Sequence, residues 1–228
     1  MTKRIYFTIA TKNYDNDYQN LEKSFRKFHP NDELIRFSDD SIPNDPEFFF
    51  RATPYFAKQL FYKGYTEVCH LDADQIILDS LEGIWEGDFD VATVLNSPAL
   101  PLRIWDIGVY YNNGLNVFKN KEFVEHWLKL CHTPHFQNYQ YREQDLLTIL
   151  CSDYFNYKVR CLDLDDKIYG ELAKPLWAQA VVEGDKVMIQ GKQLVVVHFG
   201  GGASDPSKGN FRIRFQEPVV KLIERLIK

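Results

Sequence analysis

Residues 1–95 alternate between short apolar runs and segments in which apolar side chains recur at helical spacing. Strands are predicted at 4–10, 33–38, 67–78 and 90–95, and helices at 18–28 and 53–64. Strands that alternate with helices form a mainly parallel sheet, because each helix packs back onto the sheet before the next strand begins. We therefore expect an α/β fold, with a mixed, mainly parallel sheet flanked by helices.

The second part of the chain mixes shorter elements. It predicts a loop at 96–107, a strand, turn and strand at 108–118, helices at 121–132 and 142–152, short strands within 178–199, and a closing amphipathic helix from 216. We find no repeat, low-complexity tract or linker in the sequence. A single domain spanning 1–228 is the expectation.

Charge and cysteine usage exclude some classes of protein. The 228 residues include 27 Lys and Arg against 32 Asp and Glu, a net charge of −5. Nucleic acid is not an expected partner, because affinity for it rests on basic contacts to phosphate. The four cysteines form no C-x-x-C pair and are typical of reduced thiols. No stretch of 18 apolar residues exists, so we predict no transmembrane segment. The reduced thiols, with an N-terminal apolar run too short for a signal peptide, lead us to expect a cytoplasmic location.

The stretch "EVCHLDADQIIL" places two carboxylates where an apolar strand ends. In an extended chain residues i and i+2 point to the same side, so Asp72 and Asp74 would converge on one point. Two close carboxylates repel each other unless a positive charge lies between them. A divalent cation, Mn²⁺ or Mg²⁺, fits that requirement. The alternative is that the aspartates only cap the next turn.

A second apolar strand, "LVVVHFGGGAS", delivers His198 and then three glycines. Neutral imidazole is a common metal ligand beside carboxylates, and glycines let backbone N–H groups approach phosphate oxygens. The alternative is a buried structural histidine followed by a flexible turn. Because a strand followed by polar groups occurs twice, we favour one shared site.

Two further segments place polar groups between apolar ones. In "YYNNGLNVF", Asn112 and Asn113 could face sugar hydroxyls, although N-G more often marks a hairpin turn. In "REQDLL", the residues Glu143, Gln144 and Asp145 open a helix and could form a polar cluster over a sugar ring, although the helix dipole alone favours acidic groups at this position.

In this order, "HLDAD", "YNNG", "EQD" and "HFGGGAS" resemble the motifs of GT-A (Rossmann-like) glycosyltransferases. The resemblance is strongest to family 8, the retaining group that includes glycogenin and bacterial galactosyltransferases. It implies a UDP-sugar donor, glucose or galactose above all, together with Mn²⁺ or Mg²⁺. It also implies a nucleotide-binding half at about 1–95 and an acceptor-binding, metal-completing half at about 96–228. The acceptor (glycan, protein or lipid) and the oligomeric state, a homodimer included, stay open.

The resemblance assigns a role to individual residues. It implies that Asp72, Asp74 and His198 hold the metal, with Asp72 and Gly201 also contacting the donor. Thr11 and Tyr14 would face the nucleoside base, and Lys58 would approach the donor. The residues implied around the transferred sugar are Asn112, Gln144 and Asp145. Since Gln144 is a poor nucleophile, its expected role is electrostatic support of an oxocarbenium-like centre rather than covalent catalysis.

The chain departs from the family pattern at two positions. Glu143 replaces the first Asp of D-Q-D, and Ser204 replaces the Lys of the last motif, with Lys208 as a substitute four residues further on. Two alternatives to a glycosyltransferase stay open. One is a haloacid-dehalogenase-type phosphatase that uses Asp72 and Asp74. The other is a nucleotide-sugar-binding protein without turnover.

Overall fold

The structure is a computed structural model that describes residues 2–43, 45, 47–95, 109–139, 141–152, 158–170, 177–199 and 215–228. The strands are β1 Arg4–Ile9, β2 Leu34–Phe37, β3 Glu67–Leu71, β4 Gln75–Ile77, β5 Val91–Leu95, β6 Tyr111–Phe118, β7 Cys161–Leu164, β8 Val181–Glu183, β9 Lys186–Ile189, β10 Lys192–Gln193 and β11 Val196–His198. The helices are α1 Asp15–Phe28, α2 Ala52–Tyr62, α3 Lys121–Cys131, α4 Glu143–Cys151, α5 Asp166–Tyr169 and α6 Glu217–Leu226.

In the part of the chain that the structure describes, the central sheet has six strands in the order β2-β1-β3-β6-β5-β7. β1 pairs in parallel with β2 and β3, and β5 pairs in parallel with β7. Only β6 runs antiparallel to its neighbours β3 and β5. The predicted mixed, mainly parallel sheet is therefore confirmed. Because β6 is reversed, its first residues lie at the same edge as the last residues of β3.

Helices cover both faces of this sheet. Along β1, Ile5 and Phe7 pack with α2, α3 and α4 on one face, while Tyr6 packs with α1 on the other. This alternation is the period of two that a strand imposes on its side chains. Burial of apolar area on both faces stabilises the sheet, at about 25 cal/mol for each Å² removed from water.

The sequence predicted two strands joined by a turn at 108–118, and the predicted turn is wrong. Residues Tyr111–Phe118 form one continuous strand, and Gly114 in the N-G pair does not adopt a positive φ. Instead β6 bulges: Thr93 pairs with Asn116, but the next residue, Val94, pairs with Asn112. A bulge re-aims side chains at the rim of a sheet. The bulge is on the β5 side of β6, whereas on the other side the regular register sets Leu115 opposite Leu71 and so brings Gly114 beside Asp72.

A smaller unit completes the chain. β4 and β11 form an antiparallel pair, and β8, β9 and β10 form a three-stranded meander with turns at the predicted "EGD" and "QGK" positions. Helix α6 packs its apolar side into the same core, which includes Ile76, Val197 and Ile223. The predicted packing role of this helix is confirmed.

The sequence also predicted the absence of a transmembrane segment and a loop at 96–107. Among the described residues, no helix has the length and apolar character needed to span a bilayer. The predicted loop at 96–107 lies outside the described residues.

The central sheet takes β1 to β3 and β5 from residues 1–95, and β6 and β7 from the remainder. The proposed single domain and its two halves stay predictions.

Candidate active site

The two aspartates lie in a tight turn after β3 rather than in an extended chain. The N–H of Gln75 donates to the carbonyl of Asp72 at 3.2 Å, which closes the turn before β4 begins. The N–H of Asp72 donates to the carbonyl of Gly114 at 2.8 Å, so the turn is tied to the bulge in β6. The prediction that Asp72 and Asp74 point to the same side of an extended strand is therefore wrong, although their carboxylates still converge.

His198 completes a cluster with these two carboxylates. The register of β11 on β4 sets His198 opposite Gln75, directly beside the turn. Its Nε2 lies 3.3 Å from Oδ2 of Asp72 and 3.1 Å from Oδ1 of Asp74. One ligand atom from each of the three residues lies within 4.8 Å of the others. Two carboxylates and one imidazole nitrogen form a donor set suited to Mn²⁺.

Burial adds to the case for a cation. Asp74 and His198 are buried, whereas the side chain of Asp72 is 42% exposed. A buried carboxylate close to a second carboxylate is costly unless a cation offsets the repulsion. The sequence prediction that Asp72, Asp74 and His198 come together agrees with this geometry, and their role as metal ligands stays a proposal.

The bulge of β6 supplies amide groups next to the cluster. The Asn112 side chain accepts a hydrogen bond from the N–H of Gly114 and lines the same cavity as the three candidate ligands. The Asn113 Nδ2 donates to Oγ1 of Thr53 at 3.3 Å. Both asparagines therefore lie beside the cluster, their role towards a sugar stays a prediction, and Asn112 also holds the backbone of its own bulge.

The start of α4 places Gln144 against the bulge. Arg142, just before the helix, has φ 52°, a conformation that costs energy in a non-glycine residue. Oε1 of Gln144 accepts from the N–H of Asn113 at 3.2 Å, and its Nε2 donates to the Tyr110 hydroxyl at 2.6 Å. Both ends of this amide are thus fixed, which orients the side chain at the edge of the sheet.

Asp145 is buried and lies behind this arrangement. Its Oδ1 accepts from the Tyr110 hydroxyl at 3.3 Å, and its Oδ2 accepts from the N–H of Tyr141 at 2.8 Å. Burial raises the pKa of Asp145, and the hydrogen bonds to its oxygens act against that rise. Asp145 does not line either cavity described below. Its contacts give it a positioning role, through Tyr110, for Gln144.

Two adjoining cavities open at this edge of the sheet. The first, of about 290 Å³, is lined by the cluster together with Ile9, Tyr14, Ala73, Asn112 and Gln144. The second, of about 350 Å³, is lined by Ile9, Phe49, Phe50, Ala52, Thr53, His70, Asp72, Asn113, Tyr141, Glu143 and Gln144. We call them the cluster cavity and the side cavity. They share Ile9, Asp72 and Gln144, so one ligand can extend from one cavity into the other.

Two titratable groups in the side cavity have shifted pKa values. Burial, with the nearby carboxylates of Asp72 and Asp145, raises the pKa of Glu143 to about 8. Burial also lowers the pKa of His70, against the opposing effect of Asp72. At neutral pH the carboxyl of Glu143 is therefore mostly protonated and the imidazole of His70 is neutral.

The remaining predicted site residues are placed differently. Tyr14 is exposed and lines the cluster cavity. The carbonyl of Thr11 accepts from Arg36, which fixes the loop after β1, but Thr11 lines neither cavity. Nζ of Lys58 lies 5.7 Å from the centre of the Tyr62 ring, and Lys58 also lines neither cavity. Gly201, Ser204 and Lys208 lie outside the described residues.

The sequence analysis missed several residues at the site, among them His70, Tyr110 and the side-cavity residue Thr53. His70 precedes Asp72 by two positions in β3, so strand periodicity could have placed it on the same side. Nothing in the sequence marks Tyr110, which precedes β6 and contacts α4 only through the tertiary fold.

A second group of possible metal-binding residues, His29, Asp32 and Glu82, does not have the chemistry of a metal site. Nε2 of His29 accepts from the N–H of Leu81 at 2.9 Å, so the proton of the neutral ring is on Nδ1. This Nδ1–H donates to Asp32 at 2.7 Å. Neither nitrogen has a lone pair left for a cation.

Comparison with known proteins identifies the fold. No protein-family model matches the sequence. No curated protein matches it by sequence. A glycosyltransferase involved in glycosylation of the major capsid of PBCV-1 superposes with a TM-score of 0.63 at 12% identity, over 90% of this chain and 100% of that one.

The galactosyltransferase LgtC is also similar in structure. In complex with donor and acceptor sugar analogues it gives a TM-score of 0.60 at 16% identity, over 98% of this chain and 95% of LgtC. An active-site mutant of LgtC gives 0.65 at 17% identity, over 98% and 94%. The chain has a GT-A fold. The predicted fold class, and the resemblance to glycosyltransferases of this fold, are confirmed.

Proposed function

We propose that the protein is a metal-dependent glycosyltransferase that moves a hexose from a UDP-sugar to an acceptor hydroxyl with retention of configuration. The observation that carries the proposal is the convergence of Asp72, Asp74 and His198 beside two joined cavities. This cluster follows β3 at the carboxyl end of the parallel strands, where ligands of open α/β sheets bind. The GT-A fold and its similarity to the glycosyltransferases named above support the same class of reaction.

The cluster is suited to the diphosphate of the donor. Asp72, Asp74 and His198 would hold Mn²⁺ or Mg²⁺, and the cation would supply positive charge for the departing diphosphate. The glycine-rich segment with Gly201 would add backbone N–H groups. Tyr14, at the mouth of the cluster cavity, and Thr11, in the same loop, would lie on the side of the nucleoside.

The side cavity is suited to the transferred sugar. Hydroxyl, amide and carboxyl groups from Thr53, Asn113 and Glu143 surround it, and Asp72 and Gln144 connect it to the cluster cavity. A sugar on a diphosphate held in the cluster cavity would extend into the side cavity, because the two cavities share Asp72 and Gln144. Asn112 and Gln144 would then border the reacting centre, and Asp145 would act behind them by holding Tyr110, which contacts Gln144.

Retention is proposed to proceed without an enzyme-bound covalent intermediate. The carbonyl oxygen of Gln144 is a weak nucleophile and already accepts from the backbone N–H of Asn113. Its fixed dipole can stabilise positive charge that develops on the sugar, at no cost of reorganisation during the reaction. The acceptor hydroxyl would attack from the face that the diphosphate leaves, and its proton would pass to the departing phosphate oxygen as the bond from the sugar to that oxygen breaks.

The acceptor is proposed only as a hydroxyl of a glycan, protein or lipid, and a homodimer is compatible with the proposal. A nucleotide-sugar-binding protein without turnover is the second candidate, because Ser204 replaces the lysine of the last motif. The phosphatase alternative is disfavoured, since the structural relatives are glycosyltransferases.

Calorimetric titration with UDP, in Mn²⁺ and in EDTA, tests the donor site, with GDP as the control nucleotide. We expect UDP binding that depends on Mn²⁺ and is weaker for GDP. Absence of UDP binding in both buffers would overturn the donor assignment. Incubation with UDP-glucose and UDP-galactose then separates the two candidates, because only the enzyme releases UDP.

A further inference from the structure

His70 lies in the side cavity without an assigned role. It is in β3, two residues before Asp72, and its ring is packed against Phe7 with ring centres 5.0 Å apart. The residue is buried, at 2% exposure, yet it borders the side cavity together with Thr53 and Glu143. A buried ring held from behind in this way presents a fixed nitrogen to whatever enters the cavity.

Hydrogen bonding determines which nitrogen of His70 carries the proton. Nδ1 lies 3.1 Å from the carbonyl oxygen of Asn113, and a carbonyl can only accept. The proton of the neutral ring is therefore on Nδ1, and Nε2 carries the lone pair. Nε2 lies 3.6 Å from Oδ1 of Asp72, which is longer than a hydrogen bond, and that carboxylate has no hydrogen to donate.

Two acceptors, Nε2 of His70 and Oδ1 of Asp72, thus lie side by side at the cavity. His70 is buried and the Asp72 side chain is 42% exposed, so a ligand that fills the side cavity would remove both acceptors from water, and an acceptor left there without a donor is costly. A sugar hydroxyl supplies a hydrogen, and the side cavity is the place that the donor sugar would occupy if the proposed function holds. The inference therefore rests on that function.

We propose that His70 is a specificity-determining residue whose Nε2 accepts a hydrogen bond from one hydroxyl of the transferred sugar. The residue then selects donors that carry a hydroxyl at that ring position and in that configuration. A site built to accept a hydrogen bond discriminates strongly against a ligand that lacks the hydroxyl, because the acceptor is left unpaired.

The competing role for His70 is that of a further metal ligand beside Asp72. The two roles differ in what the residue affects. A metal ligand contributes to the binding of UDP with Mn²⁺, whereas a sugar-binding residue contributes only when the hexose is present. UDP without its sugar is therefore the internal control.

The variant His70→Phe tests the proposal, because phenylalanine retains a ring against Phe7 but has no acceptor. The carbonyl of Asn113 keeps a donor in the variant, since Nδ2 of Asn116 also donates to it at 2.8 Å. Calorimetry in Mn²⁺ would measure the affinities of wild type and variant for UDP, for UDP-glucose and UDP-galactose, and for analogues deoxygenated at carbon 2, 3, 4 or 6.

In wild type we expect one deoxy analogue to bind on the order of tenfold more weakly than its parent sugar nucleotide. In His70→Phe the parent and that same analogue should bind equally, while UDP affinity is unchanged. This non-additivity attributes the lost hydrogen bond to the pair of His70 and that hydroxyl. His70→Gln, which restores an acceptor oxygen, should recover part of the discrimination.

Two results would overturn the inference. One is a loss of UDP affinity in both His70→Phe and His70→Gln, which would make His70 a metal or phosphate residue. The other is unchanged discrimination among the deoxy analogues in His70→Gln and His70→Phe. Failure of wild type to bind UDP at all is a separate result and would reject the proposed function itself.

Discussion

The ring of His198 packs directly against the backbone of Gly114, and a Cβ at position 114 would lie 2.6 Å from its Nδ1. The same glycine accepts a hydrogen bond from the N–H of Asp72 and donates one to the Asn112 side chain. Gly114 therefore positions two candidate metal ligands. Its lack of a side chain leaves room for the ring of His198, and its carbonyl holds the N–H of Asp72. Its φ is not positive, so the lack of a side chain, rather than conformational freedom, is what the site requires.

Replacement of this glycine should impair metal binding. In Gly114→Ala the methyl group collides with the His198 ring, which must move away from Asp72 and Asp74. We expect UDP affinity in Mn²⁺ to fall on the order of tenfold, as for loss of a charge-assisted contact. Calorimetry measures this affinity, and circular dichroism checks that the fold is retained.

Gly83→Ala is the matched control. A Cβ at Gly83 would meet only the Tyr169 hydroxyl, at 3.8 Å, which is an ordinary contact. This variant should bind UDP and Mn²⁺ as wild type does. Wild-type binding in Gly114→Ala as well would contradict a positioning role for Gly114.

Much of this architecture follows from sequence patterns. Apolar runs separated by amphipathic segments predicted β1 to β3 and α1 and α2, because the periods of strand and helix differ. The same patterns predicted that Asp72 and His198 end two strands. Their convergence was predicted because a strand followed by polar groups occurs twice, although His198 reaches the site on β11, which pairs antiparallel with β4 outside the central sheet.

Other features depend on contacts between distant residues. The N-G pair predicted a hairpin, but β6 stays extended because both of its edges are paired, with β3 and with β5. The interpretation of Asp145 as a residue lining the sugar did not account for Tyr110, whose hydroxyl lies between Asp145 and Gln144. Local sequence carries no information about such tertiary partners.

The candidate ligand Asp74 can be tested without changing the shape of its side chain. Asp74→Asn removes the negative charge from a buried position next to His198. We expect Mn²⁺-dependent UDP binding to weaken tenfold or more, or roughly 1.5–3 kcal/mol. Calorimetry in Mn²⁺ and in EDTA measures the change.

Asp88→Asn serves as the control for Asp74→Asn. The Asp88 side chain is 87% exposed and pairs with Arg160 at the opposite end of β5 from the site. Asp88→Asn removes one negative charge from the protein, as Asp74→Asn does, so any general electrostatic effect on UDP binding appears in both variants. If Asp74→Asn binds UDP as Asp88→Asn does, Asp74 is not a ligand.

Tyr110 provides a test of how Gln144 acts. Tyr110→Phe removes the hydroxyl that accepts from Nε2 of Gln144 and donates to Asp145. If the fixed amide stabilises the transition state, kcat should fall while KM for the UDP-sugar changes little. Steady-state release of UDP measures both constants. A rise in KM with unchanged kcat would instead assign Gln144 to ground-state binding of the donor.

Glu143 predicts a dependence of stability on pH. Its pKa in the folded protein is about 8, against 4.5 for an ordinary glutamate, so the folded state holds a proton that the unfolded state has released. Between pH 4.5 and about pH 8 the wild-type protein therefore loses stability as pH rises. Glu143→Gln keeps a neutral side chain of similar shape and removes this dependence. Thermal melts in EDTA should show similar melting temperatures for both proteins near pH 5, and a higher one for Glu143→Gln above pH 8. A constant difference across this range would mean that Glu143 is already charged in the folded protein at pH 5.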